Sequence, residues 1–387
     1  MCFLSEWSLH GFSKFVRKYK NFRSFHRRLN TIKKIRLVQF RNYSSASFDF
    51  AAPITCITGP NGSGKTNLLD AVYYLCYTKS YFTAWQQHTV KSGTDGFRVE
   101  GVFQKAAGTE ETIGCKWRAG KKEVTADGVE YEKLSDHFGK YAAVMIAPDD
   151  MELINDGSEV RRKWMDGILG QCDKTYLESL MNYSRILLQR NAWLKLHAVN
   201  PPFDSAELDY YNSQLHFHGT YLYERRVIFL EQFTPLLQNF YRQLSSAKEA
   251  IDIRYDSDLH AKPLDTWLRE SLQQDLRVQR TLRGPHKDDL QFTFDVANLK
   301  QFGSQGQKKS YLFALKLAQY AYLSIVLGHL PILLLDDIFE KLDQSRMEAL
   351  LRIIRSAGFG QVILTDTHAG RVKEAFGEGV EVGFIAL

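Results

Sequence analysis

The eight residues GPNGSGKT, Gly59 to Thr66, constrain this chain more than any other stretch. They fit G-x-x-x-x-G-K-[ST], a glycine-rich turn that aims successive backbone N–H groups at phosphate oxygens. Gly59, Gly62 and Gly64 supply the backbone freedom such a turn needs. Its flanks suit it. Ile54 to Thr58 is a β-branched run that reads as a strand, and Asn67 to Leu75 follows a helical pattern. The helix start adds a dipole whose positive end faces the loop. Lys65 is expected to neutralise the β- and γ-phosphates, and Thr66 to hold Mg2+ through its hydroxyl. Pro60, Asn61, Ser63 and Asn67 complete the expected nucleotide contacts.

The second half of such a site lies about 270 residues further on. PILLLDDIFEKLD, Pro331 to Asp343, is an apolar strand that ends in two carboxylates. A strand this apolar belongs inside a parallel sheet. Asp336 at its end is expected at the metal, and Asp337 where a base for an attacking water would sit. Gln361 to Thr365, running into Asp366, reads as another core strand ending near the γ-phosphate. FGSQGQKK, Phe302 to Lys309, precedes a helical run from Ser310 to Leu327. Ser304, Gln305 and Gly306 at its start are either a second anion site or a plain helix cap. A second phosphate-binding helix start suggests a composite site shared between two copies.

Composition excludes other classes. At 387 residues with 44% hydrophobic and 24% charged residues, the chain is an ordinary globular protein. No run approaches the ~18 apolar residues of a membrane span, so no membrane partner is expected. Five scattered cysteines without a C-x-x-C pair fit a reducing cytoplasm. The net charge of +6 is misleading: residues 1–28 carry seven Lys/Arg and one acid, and the remainder balances to zero. Bulk charge therefore does not identify a ligand for the folded body. Residues 1–28, basic and aromatic but lacking a secretory apolar region, read as an extension outside the fold.

GPNGSGKTNLLDAVYYL, GSQGQKKSYLFALKLAQ and LLLDDIFEKLD together resemble the ATP-binding-cassette heads of SMC-like proteins. Ile35-Arg36-Leu37, Phe40 to Tyr43, Arg161 to Asp166, Leu188 to Ala192 and LRGPHKDDL, Leu282 to Leu290, resemble the RecF family of bacterial recombination mediators more closely still, from about residue 32 onward. The resemblance implies an α/β P-loop ATPase head, its sheet mixed or parallel, interrupted by a compact α-helical lobe with no long coiled coil. Outside the family pattern lies the basic extension (1–28); the resemblance implies an N-terminal ATPase part (29–157), a helical lobe (158–275) and a C-terminal ATPase part (276–387). Val160 to Ser246 fits such a lobe, being helical in pattern without sustained heptads and broken at Pro201-Pro202 and Pro235. By the same resemblance, Ser304, Gln305, Gly306 and Gln307 contact the γ-phosphate held by the other subunit, and Asp343 sits on a dimer-facing loop. The resemblance further implies that ATP closes a homodimer on DNA at single-strand gaps or duplex junctions, that slow hydrolysis releases it, and that RecR with RecO is the partner in loading recombinase.

The chain departs from the wider pattern in places. SMC-like heads usually carry Glu after the magnesium Asp; here it is Asp337, a shorter arm that fits slow turnover. No Gln marks the lobe-connecting loop, where APDDMELI leaves Asp149 and Asp150 as candidates for sensing the γ-phosphate. Asp366 stands where many cassette ATPases have His, with His368 nearby. Arg161, Arg162, Arg185, Arg190, Lys195, Arg225 and Arg226 are candidates for DNA phosphates, each set against a solvated helix face. Two roles are open for Arg190, DNA contact or fastening the lobes. Arg283, His286 and Lys287 with Asp288-Asp289 read rather as an intramolecular network beside the nucleotide than as a DNA surface. The alternative functions are a non-DNA P-loop enzyme such as a small-molecule kinase, which GSQGQKK argues against, and a fused nuclease, for which no second carboxylate cluster is evident.

Overall fold

The computed structural model describes residues 28–105, 108–198, 205–245, 249–295, 297–340, 342–356, 358–377 and 379–387. The chain forms two compact units, the first from the residues through Met151 with Asn239–Lys248 and Lys309–Leu387, the second from Glu152–Gln238 and Glu249–Lys308. The N-terminal extension lies outside the described residues up to Arg28, which with Leu29 pairs in parallel with His329–Leu330.

The first unit contains a five-stranded parallel sheet in the order Val382–Ala386, Ile54–Thr58, Val362–Asp366, Ile332–Leu335, Ala143–Ile146. The three central strands and Ala143–Ile146 are buried almost throughout, as covered parallel strands must be. Thr58 pairs with Asp366, and Leu335 pairs with both Leu364 and Ile146. In this register the chain leaves the sheet along one edge at Gly59, Asp336 and Ala147, the usual ligand edge of such sheets. The P-loop helix, Lys65–Tyr77, is apolar around most of its circumference. Leu68, Leu69, Val72 and Leu75 share one core with Ile57, Leu334 and Ile363 of the parallel sheet and with Val99, Phe103 and Ile113 of a second sheet. Each such side chain contributes roughly 1.5–3 kcal/mol by leaving water, which fixes the loop at the helix start. The second sheet is a six-stranded antiparallel meander ordered Tyr43–Asp49, Thr31–Phe40, Gly96–Gln104, Glu110–Arg118, Lys121–Ala126, Val129–Glu130.

The signature helix, Gln305–Leu327, is buried from Ser310 to Ile325 apart from Gln319. By length and composition it could cross a membrane, but its apolar stretch lies inside the protein. Within that stretch Lys316 interrupts the apolar run, which stays short of the ~18 residues of a membrane span.

The second unit combines helices Ser158–Cys172 and Lys174–His197 and most of Ser205–Leu244 with a three-stranded antiparallel sheet. Two expectations change here. Residues 276–308 pack with this unit rather than with the ATPase part, because Asp289–Phe294 pairs along its length with Ile251–Asp256 and then with Ala297–Asn298. Pro235 does not break its helix, which runs 40 residues through it. A helical proline costs a hydrogen bond and some strain. Buried Phe233, Leu236, Leu237 and Phe240 around it hold the helix in register. Pro201-Pro202 lie outside the described residues.

Candidate nucleotide site

The loop after Ile54–Thr58 turns through Pro60, Asn61 and Gly62, all exposed to solvent, and enters the helix at Lys65. Gly64 caps that helix at φ 111°, and a Cβ there would lie 2.5 Å from Asn42 Nδ2 and 2.9 Å from the Tyr43 hydroxyl. The crowding comes from a clamp. Asn42 Nδ2 donates to the Ser63 carbonyl at 3.1 Å, Tyr43 Oη donates to the Gly64 carbonyl at 3.0 Å, and Asn67 Nδ2 donates to Asn42 Oδ1 at 2.8 Å. Lys65 is 5% exposed, and its Nζ donates to the carbonyls of Gly59 at 2.8 Å and Pro60 at 3.0 Å. The buried Ser63 hydroxyl has no partner among the described residues. A buried donor left unmatched in a phosphate-binding loop fits an anionic oxygen there.

Thr66 and Asp336, 270 residues apart, meet here. Thr66 Oγ1 lies 3.0 Å from both carboxylate oxygens of Asp336. Thr365 Oγ1 donates to Asp336 at 2.8 Å and accepts the Asp337 backbone N–H at 2.9 Å. Burial, then the neighbouring Asp337 charge, pushes the Asp336 carboxyl up to about 6, against the Thr365 and Thr66 hydroxyls and the Lys65 charge. A hydroxyl beside a buried carboxylate whose charge lacks solvation is a donor set that fits a hard divalent cation. Thr66 and Asp336 would hold Mg2+, which when bound neutralises phosphate charge. Asp337 follows at φ 47°, a left-handed conformation rare for a non-glycine residue. It turns the chain sharply off the strand, and among the described residues its carboxylate keeps a long 3.4 Å contact to Thr365.

The other candidates are distributed differently. Ser304 and Gln307 form a reciprocal capping box in the second unit. Gln307 N–H donates to Ser304 Oγ at 3.2 Å, and Ser304 N–H to Gln307 Oε1 at 2.8 Å. Gln305 and Gly306 begin the helix between them. Asp343 caps the helix Gln344–Ser356, accepting the Arg346 N–H at 3.0 Å, while Arg346 Nε donates to Ser310 Oγ at 2.7 Å. Asp366 is buried and bound by Arg371 at 2.8 Å, and the His368 backbone N–H caps it at 2.6 Å. Asp150 is also occupied, by Lys316 Nζ at 2.6 Å, the Tyr81 hydroxyl and the Ala147 N–H. These bonds hold it inside the first unit; Asp149 is exposed.

The basic residues considered for DNA divide sharply. Arg190 is fully buried against Asp275, Arg161 is paired with Asp289, and Arg226 with Asp166 and Asp288. These three are internal and cannot meet a phosphate backbone. Arg225 pairs with Asp173, and Arg162 donates to the Asp288 carbonyl at 2.5 Å. Arg185 and Lys195 remain exposed. The 283–289 segment is bonded within the second unit, with His286 bonded to Tyr183 and Arg283 to Asp258. The Asn42-Tyr43 clamp was missed as part of the site, and Thr365, expected near the γ-phosphate, was missed as the partner of Asp336. The polar turn after Phe40 and the threonine closing an apolar strand were the available signals.

The family model described as RecF/RecN/SMC N terminal domain matches residues 31–383. The DNA replication and repair protein RecF of Flavobacterium johnsoniae is 42% identical over 343 residues, 88% of this chain and 95% of that one. That of Cytophaga hutchinsonii is 39% identical over 340 residues, 88% and 90% of the two chains. A solved structure of the recombination mediator protein RecF with ATP, in the RecFOR pathway, is 27% identical with a TM-score of 0.83 over 90% of this chain and 95% of that one. An Smc head domain from Pyrococcus furiosus, 15% identical, matches with a TM-score of 0.51 over 90% of this chain and 91% of that one, a likeness of fold alone. The chain therefore belongs to the RecF family of DNA replication and repair proteins, built on the SMC-like cassette ATPase fold.

Proposed function

We propose that this protein is an ATP-gated DNA clamp of recombinational repair and replication-fork maintenance, acting at single-strand gaps and duplex junctions. It works in the cytoplasm with RecO and RecR to load recombinase and hydrolyses ATP slowly, stimulated by DNA. The observation that carries this is the meeting of Lys65, Thr66, Asp336 and Asp337 at one sheet edge. Lys65 would exchange its two carbonyl partners for the β- and γ-phosphate oxygens, and the loop N–H groups with the Ser63 hydroxyl would cradle them. Asp337, one residue past the metal carboxylate and short of strong donors, would accept the proton of the attacking water. Its short, conformationally strained arm supports slow turnover. The Ser304 and Gln307 side chains that now satisfy the helix start would release those N–H groups to the γ-phosphate held by a second copy.

Light scattering with and without ATP and gapped duplex tests this. Wild-type protein dimerises with ATP, and Lys65→Arg stays monomeric. A wild type that remains monomeric, or a Lys65→Arg variant that dimerises normally, refutes the composite site. Phosphorylation of a small-molecule acceptor without DNA stimulation would favour a kinase instead.

A further inference from the structure

A line of polar side chains runs through the first unit from the P-loop to the signature helix. It starts at the clamp, where Asn42 and Tyr43 hold the carbonyls of Ser63 and Gly64. Arg41, adjacent in the chain, donates to Asp70 Oδ2 at 2.9 Å and to Ser80 Oγ at 2.8 Å. Asp70 lies on the P-loop helix, fully buried, and its other oxygen accepts the Tyr81 N–H at 2.7 Å. The Tyr81 hydroxyl donates to Asp150, and Lys316 Nζ donates to Asp150 Oδ1 at 2.6 Å and to Tyr81 Oη at 2.7 Å. Lys316 lies on the helix whose first turn follows Ser304.

Core packing does not account for this arrangement. Lys316 is 4% exposed and is the one charged side chain among the buried residues of its helix. An apolar pair of similar volume would serve stability as well as a buried ion pair or better. What apolar contact lacks is direction: it tolerates sliding and rotation of a helix that is greasy on every side. Charge-assisted hydrogen bonds do not. Burial, then the Asp150 charge, pushes the Tyr81 phenol well above its usual range, so it remains a donor. The signature residues precede Lys316 by 9 to 12 positions, roughly 14–18 Å at 1.5 Å per residue. One fixed point on a stiff helix therefore governs where its start presents Ser304 to Gln307.

We infer that Lys316 is a positioning residue, whose bonds to Asp150 and Tyr81 set the axial and rotational register of the signature helix against the P-loop helix and so aim Ser304 to Gln307 at a partner's nucleotide. This rests on the composite-site reading above. The test uses the full chain with Asp150→Asn/Lys316→Met, which leaves no buried charge unpaired, and Tyr81→Phe, which removes one hydroxyl. Thermal unfolding, affinity of the dilute monomer for a fluorescent ATP analogue, ATP-driven dimerisation and steady-state turnover are measured for each. The double variant unfolds near the wild-type temperature and binds nucleotide like wild type. Its dimerisation and kcat fall by roughly tenfold or more, the scale on which small misplacements act, while KM hardly moves. Tyr81→Phe falls in the same direction by less. Dimerisation and turnover like wild type in the double variant overturn the inference. Loss of monomer nucleotide affinity overturns it too, because the line of side chains would then serve the P-loop alone. A wild type that stays monomeric with ATP overturns the composite site and this inference together, which separates the two failures.

Discussion

Replacing Arg226 by Met takes a guanidinium out of the second unit and leaves its partners behind. Arg226 is 2% exposed. It donates to the Pro285 carbonyl at 2.8 Å, to Asp288 at 2.9 Å, to Asp166 at 3.0 Å and to the Tyr176 hydroxyl at 3.1 Å. Met fills most of the volume, so the cost is electrostatic. Asp288, also buried, keeps a charge opposed only by the Tyr255 hydroxyl and its remaining neighbours. Breaking one side of a buried pair costs about 3–5 kcal/mol, a large share of the 5–15 kcal/mol typical of a whole domain. Burial already holds the Asp288 carboxyl above its usual range, against the pull of Arg226. Without that pull it takes a proton more readily, so the loss shrinks as pH falls. Urea unfolding followed by fluorescence measures it: with slopes of about 1–3 kcal/mol per molar, the midpoint drops by about 1 M or more, and adding Asp288→Asn recovers part of the drop. An Arg226→Met protein that unfolds at the wild-type midpoint yet binds DNA more weakly would falsify this account and return Arg226 to the DNA surface.

Two further outcomes follow from local geometry. Gly64→Ala puts a Cβ 2.5 Å from Asn42 Nδ2 at a φ of 111°, so fluorescent-ATP affinity falls by about tenfold or more, given the 1–3 kcal/mol cost of such a backbone. Adding Asn42→Ala relieves the clash but not the backbone, and full rescue would show that crowding alone matters. His286 is held down to about 4 by burial, against its bond to the Thr281 carbonyl. Because the folded pKa lies below the ordinary 6.5, the unfolded chain binds the proton first. Stability is therefore lost as pH falls from about 6.5 to 4, by up to about 3 kcal/mol at 1.36 kcal/mol per unit. His286→Gln flattens that slope, and an unchanged slope between the two proteins removes His286 from the acid sensitivity.

Much of the nucleotide site was legible in the sequence because its chemistry is local. A glycine-rich turn between a strand and a helix limits where N–H groups point, and an apolar run ending in Asp-Asp reads as a covered strand with carboxylates at its end, placed at a metal only when paired with that turn. Thr66 and Asp336 meet because parallel register brings those two edges together. The basic residues were not legible. Arg161, Arg190 and Arg226 sit on helices at spacings that suit a phosphate-facing surface equally well. Their acids, Asp289, Asp275 and Asp288, lie 62 to 128 residues further along the chain. Non-local pairing also hid the Asn42-Tyr43 clamp, 21 residues from its partners, the strand partner of residues 289–294, and the Asp150–Lys316 bond, whose residues lie 166 apart. Sequence by itself determined the loop, the strand-end carboxylates and the capping chemistry, since each depends on backbone conformation within a few residues. Tertiary structure alone decided which charges are spent inside and which face water, because a buried charge persists only where a distant partner is brought within hydrogen-bond reach.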